Sequence, residues 1–117
     1  MEDGHWTNVD SSTRSITKVD IEFVCRDVHI PGEPPKPSYY INLFGSCHPT
    51  DCDWGVAGGN RDSSGWIRTT IDHGYATRHV WVQGYDSSGV DWLRVYIWTD
   101  FHDRRQDYAS DEWFLRS

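Results

Sequence analysis

Lysine is nearly missing from this chain: Lys18 and Lys36 are the only two in 117 residues. The nine arginines are scattered among 18 acidic residues, and the formal net charge is −7. Phosphate backbones and anionic lipid surfaces are held by clustered cations, so this balance argues against nucleic acid and membrane surfaces as partners. The one basic pair, Arg104-Arg105, is flanked by Asp103 and Asp107 and reads as a solvated turn. Long apolar runs are missing too. No stretch approaches the ~20 apolar residues that span a bilayer, so membrane insertion is not expected. Met1-Glu2-Asp3-Gly4 lacks the basic and apolar regions of a secretory leader, which leads to the expectation of a cytoplasmic protein, or one released without a signal peptide. Cysteine is scarce and odd in number, at three, so at most one internal bridge can form. There is no Cys-x-x-Cys, no serine nucleophile elbow, and no phosphate loop, since Gly55 to Gly59 lacks the lysine and helix such a loop needs. No cofactor and no metal are expected.

What the chain has in quantity is rings. Aromatics make up 15% of it, with seven tryptophans, although the mean hydropathy is −0.70. Disordered chains are poor in aromatics, so this one is expected to fold, as a single domain over residues 1–117. Short alternating runs separated by Gly, Pro, Ser and Asp clusters read as strands, and no helical period persists. In Thr17 to Cys25 the odd positions Val19, Ile21, Phe23 and Cys25 are apolar and the even positions Lys18, Asp20 and Glu22 are charged, which predicts a half-buried strand. Pro31 to Pro37 holds four prolines and reads as a stiff loop. Further strands are predicted at 39–45, 53–57 (broken by Gly58-Gly59-Asn60), 66–72, 78–85, 90–101 and 108–115. Asp86-Ser87-Ser88-Gly89 is expected to turn the clearest hairpin. Asp-Ser-Ser recurs at Asp10 and Asp62 without a fixed period. The fold expected is all-β, a small antiparallel up-and-down barrel of about eight strands, with a β-sandwich as the alternative.

Gly4-His5-Trp6, followed by Asn8 and an alternating run, resembles the first strand of the calycin barrels, the lipocalins and avidins. The resemblance implies a barrel whose Trp6 plugs one end under an arginine from near the last strand, here Arg116. A second resemblance spans more of the chain. Trp6-Thr7-Asn8-Val9-Asp10, Thr13-Arg14-Ser15-Ile16, the run from Cys47 to Gly55 and a closing strand at 108–114 are similar to a family of small bacterial and fungal all-β proteins. It implies one domain and one fold, and no chemistry.

Cys47-His48-Pro49-Thr50-Asp51-Cys52-Asp53-Trp54-Gly55 concentrates the most specialised residue types. Cys47 and Cys52 are the disulfide candidates. Closing so short a loop would mainly shape the turn. Zinc ligation by Cys47, His48 and Cys52 is the competing reading, but His73, His79, His102 and Asp51 show no ligand spacing that would complete the set. Asp51 and Asp53 beside Trp54 suit a polyol site and equally suit turn capping. The second candidate is the 90–101 strand, where Trp92, Arg94, Tyr96 and Trp98 alternate with Leu93, Val95 and Ile97. Which set faces inward is open from sequence.

Two functions follow from the two orientations. With the rings outward, the chain is a lectin-like, carbohydrate-binding protein, aided by a possible homo-oligomer. Sugar would stack on Trp54, Trp92, Tyr96 and Trp98, with hydroxyls bound by Asp51, Asp53 and Arg94. With the rings inward, it is a calycin-like barrel that holds an apolar or aromatic small molecule. An enzyme using His48 or His79 with a neighbouring Asp remains a third reading, without a motif to support it.

Overall fold

A computed structural model describes residues 2–24, 31–32, 38–47 and 50–117. Cys25, His48 and the prolines at 34, 35 and 37 lie outside the described residues. Eight strands form one closed barrel: β1 (Gly4–Asn8), β2 (Ile16–Phe23), β3 (Tyr39–Gly45), β4 (Cys52–Arg61), β5 (Ile67–Asp72), β6 (Ala76–Ser87), β7 (Val90–Phe101) and β8 (Tyr108–Arg116). Each pairs antiparallel with its sequence neighbours, and β8 returns to β1 through Trp6↔Arg116, Thr7↔Leu115 and Asn8↔Phe114. The up-and-down barrel is therefore the fold, and the sandwich is not.

Period-two alternation fills the interior. Val19 and Ile21 of β2, Ile41 and Leu43 of β3, Ile67 of β5, Val80 and Val82 of β6, Leu93, Val95 and Ile97 of β7 and Phe114 of β8 form one buried cluster around Trp6. Each such side chain contributes about 1.5–3 kcal/mol through its removal from water. This settles the orientation of β7: its aliphatic set points in, and Trp92, Arg94, Tyr96 and Trp98 point out.

One end of the barrel, here the lower, is sealed by Trp6. Its Nε1 donates to the Glu2 carbonyl at 2.9 Å, and the Arg116 guanidinium lies 4.3 Å from its ring centroid. Beneath it the Glu2 side chain, 2% exposed, accepts from Arg61 at 2.8 and 3.1 Å and from the Gly84 N–H at 3.2 Å.

Gly58-Gly59-Asn60 does not break β4, which runs on to Arg61. The glycine signal here reflects close approach instead: a Cβ on Gly59 would lie 2.5 Å from the Arg68 carbonyl oxygen of β5. The β4–β5 ladder is short, limited to Asn60↔Arg68 and Arg61↔Ile67, with Thr69 Oγ1 donating to the Gly58 carbonyl at 2.7 Å just above. The β6–β7 hairpin turns on Ser88-Gly89 alone, with φ of +54° and +79°, values that match the twist of the flanking strands. Asp86 and Ser87 remain in β6. At the other two Asp-Ser-Ser sites the aspartate does hold a turn: Asp10 accepts from the Ser12 N–H at 3.0 Å, and Asp62 from the Ser64 N–H at 2.9 Å.

Candidate functional site

Antiparallel register places outward side chains of β5–β8 in rows. Arg68, Trp81, Tyr96 and Asp111 stand side by side, as do Gln83, Arg94 and Trp113. Neighbouring rows carry His79 beside Trp98 and Tyr85 beside Trp92. Cross-strand ring pairs of this kind support one another: Trp81 meets Tyr96 at 5.5 Å between centroids, Tyr85 meets Trp113 at 5.4 Å, and Trp92 meets Trp113 at 6.3 Å.

Two open hollows lie on this wall. Asp62, Ser64, Trp66, Trp81, Arg94 and Tyr96 line one of about 340 Å³. Tyr85, Asp86, Ser87, Trp92 and Trp113 line another of about 500 Å³. Arg94 links the two, since its guanidinium lies 5.6 Å from the Trp66 centroid and 5.8 Å from that of Trp113. Its Nε donates to Asp111 Oδ1 at 2.9 Å, and Nη2 bonds the other carboxylate oxygen. That hydrogen bonding raises the pKa of Arg94 and lowers that of Asp111, so both stay charged at neutral pH. The fork is thereby held in one orientation between the rings.

Asp62 is fixed from the turn before β5. The Ser64 hydroxyl, with the Ser64 and Trp66 N–H groups, donates to its Oδ1. The Ser64 hydrogen bond is the main reason its carboxyl stays below the usual range. Among the described residues no donor falls on Oδ2, which leaves an anionic acceptor beside the rings.

The sequence candidates divide between this wall and other places. Arg94 and Tyr96 line the first hollow and Trp92 the second, while Trp98 continues the same face, opposite His79. Asp51 accepts from Thr17 Oγ1 at 2.8 Å on the exposed surface. Asp53 accepts from Asn42 Nδ2 at 2.7 Å and the Gly55 N–H at 2.8 Å, and the Asn42 bond chiefly lowers its pKa. Both aspartates hold local structure. Trp54 points the other way, half-buried against the core, with the Arg78 guanidinium 4.2 Å from its ring and His73 edge-on at 5.3 Å. Asp53 and Trp54 are adjacent in a strand and so face opposite sides. The Asp51–Asp53–Trp54 grouping therefore does not form one site. Cys47 and Cys52 are joined by a disulfide, with Cα atoms 5.5 Å apart. His79 stacks beside Trp81 at 6.4 Å and has no carboxylate partner among the described residues.

Sequence reasoning left Trp66, Trp113 and Tyr85 out of the site. Trp113 stands in the unbroken apolar run Trp113-Phe114-Leu115, where parity does not single it out. Trp66 stands just before β5 and carries no periodic signal. No protein-family model, curated protein or solved structure matches the chain.

Proposed function

We propose that this is a carbohydrate-binding protein whose site is the outer wall of β5–β8. One observation carries the reading: a single hollow gathers three rings, Trp66, Trp81 and Tyr96, with three hydrogen-bonding side chains, Asp62, Ser64 and Arg94. A sugar ring has an apolar C–H face and an equatorial fringe of hydroxyls. The partly positive C–H groups stack on the negative face of an aromatic ring, and the fringe needs acceptors and donors at fixed positions. Asp62 Oδ2 and the Ser64 oxygen, whose proton is given to Asp62, are acceptors, and the Arg94 N–H groups not engaged by Asp111 supply donors. Volume and composition fall within those of ligand clefts. Trp92 and Trp113 in the adjoining hollow extend the same chemistry along the wall. The surface is favoured over a ligand held inside because packed side chains occupy the interior positions.

The test is a glycan array followed by calorimetric titration of each hit, with light scattering to determine the oligomeric state. The reading expects saturable binding, weakened about tenfold by Trp81→Ala, the equivalent of ~1.4 kcal/mol of lost stacking. A blank array at millimolar sugar would overturn it, and self-association through these rings would then account for their exposure.

A further inference from the structure

Arg78 of β6 occupies an inward position in the apolar alternation Arg78, Val80, Val82, and is 7% exposed. Its guanidinium meets only neutral groups. Nε donates to His73 Nδ1 at 3.2 Å, and Nη1 donates to Thr99 Oγ1 at 3.0 Å. The terminal edge of the fork faces two phenols at longer range: Nη1 lies 3.4 Å from the Tyr108 hydroxyl and Nη2 3.4 Å from that of Tyr75. The flat face lies on Trp54, 4.2 Å from its centroid. Among the described residues no carboxylate pairs with it.

Carboxylates are not lacking nearby. The same upper end of the barrel holds Asp72, Asp103 and Asp107, each engaged elsewhere: Asp72 by the Gly74 N–H, Asp103 by Arg105, and Asp107 by the Phe101 N–H. A buried charge without a counter-ion is strongly unfavourable, and a chain with 18 acidic residues has many means of neutralising one. Here the cation is held rigid by stacking and by two good hydrogen bonds, while the edge that would receive a bidentate carboxylate is left to two weak contacts. The phenols that make those contacts are 47% and 44% exposed at Tyr75 and Tyr108, so the fork lies directly behind the surface. Phe101 stacks on Tyr75 at 6.4 Å and lies 5.9 Å from Tyr108, and the Arg105 guanidinium, paired with Asp103, lies 4.5 Å from the Phe101 centroid and 5.0 Å from that of Tyr75, so the approach is aromatic with a second cation over its rings.

We propose that the upper mouth of the barrel binds a small carboxylate with a flat apolar body, and that Arg78 supplies the counter-charge. The carboxylate takes the Nη1–Nη2 edge bidentately, a fit that guanidinium and carboxylate share. It displaces the Tyr75 and Tyr108 hydroxyls, which then line the entry with Phe101. This site is separate from the outer wall and stands whether or not the wall binds sugar.

Sodium benzoate is the probe, with sodium chloride at equal ionic strength as the control. The Nε–H resonances of the arginines in the whole protein are followed by two-dimensional NMR. The proposal expects a saturable shift of the Arg78 resonance by benzoate and none by chloride, with a dissociation constant below about 10 mM. Arg78→Met should weaken binding at least ~10-fold, and Arg68→Met on the outer wall should leave it unchanged. No saturable Arg78 shift, an equal shift with chloride, or full binding by a folded Arg78→Met protein would each overturn it. Should Arg78→Met fail to fold, the wild-type resonance decides alone.

Discussion

Arg61→Met tests the ion pair that closes the lower end of the barrel. Glu2 is 2% exposed and Arg61 is 37% exposed, so the carboxylate is the member that suffers when the pair is broken. Removing one partner of a buried pair costs about 3–5 kcal/mol. Because Arg61 stands at the rim, where water screens the pair, about 2 kcal/mol is the value to expect. With an unfolding entropy of ~2.1 cal/mol/K per residue, a chain of this length loses roughly 8 °C of melting temperature for that change. Arg61→Met/Glu2→Gln should recover part of the loss, since no buried charge then remains. The pH dependence follows from the same contact. Burial opposes ionisation of Glu2, but the hydrogen bonds from Arg61 and from the Gly84 N–H outweigh it and hold its pKa below the ordinary value of 4.5. A lowered folded pKa gives stability that is full above the unfolded value and lost as pH falls through the folded one. The difference between wild type and Glu2→Gln should therefore be constant near neutrality and shrink below about pH 4.5. Thermal unfolding by circular dichroism across pH 3–8 reads all of this. An Arg61→Met protein that melts within about 2 °C of wild type at pH 7, or a double variant less stable than Arg61→Met alone, would refute the reasoning.

Three further outcomes follow from the packing. Leu93→Ala in β7 should cost about 2–5 kcal/mol in chemical denaturation, while Trp98→Ala, five residues further along and on the outer face, should cost under ~1 kcal/mol; equal losses, or a larger loss at Trp98, would contradict this assignment of the faces. Gly59→Ala drives a methyl against the Arg68 carbonyl oxygen at 2.5 Å and should destabilise by about 1–3 kcal/mol, as read by the same denaturation. Replacing Cys47 and Cys52 by serine opens a loop with a sequence separation of 5, which should cost no more than about 2 kcal/mol and leave the strand spectrum unchanged.

Strand parity carried most of the fold. The alternation in β2 and β7 places Val19 with Ile21, and Leu93 with Val95 and Ile97, on one face of each strand, because the side-chain period in a strand is two. Parity within one strand cannot say which face the barrel encloses; that required the register of β6, β7 and β8 together. Gly58-Gly59 is ambiguous in sequence because glycine marks both a chain break and a close backbone approach, and only the position of Arg68 distinguishes them. Trp54 was grouped with Asp53 by proximity in sequence, although adjacent strand residues point apart. Arg78 was legible in principle, as a charged residue on the apolar parity of Arg78-His79-Val80-Trp81-Val82. Glu2 lies before β1, where no periodicity extends, and its insertion beneath Trp6 had no local signal.

The most direct measurement on the outer wall is the glycan array with the native protein, each hit titrated while tryptophan emission is followed. A carbohydrate site on the outer wall requires at least one saturable glycan that shifts the emission, with Trp66→Ala and Trp81→Ala each weakening it and Trp54 replaceable without effect. An array with no binding at millimolar sugar, or a hit indifferent to both Trp66→Ala and Trp81→Ala, would contradict it.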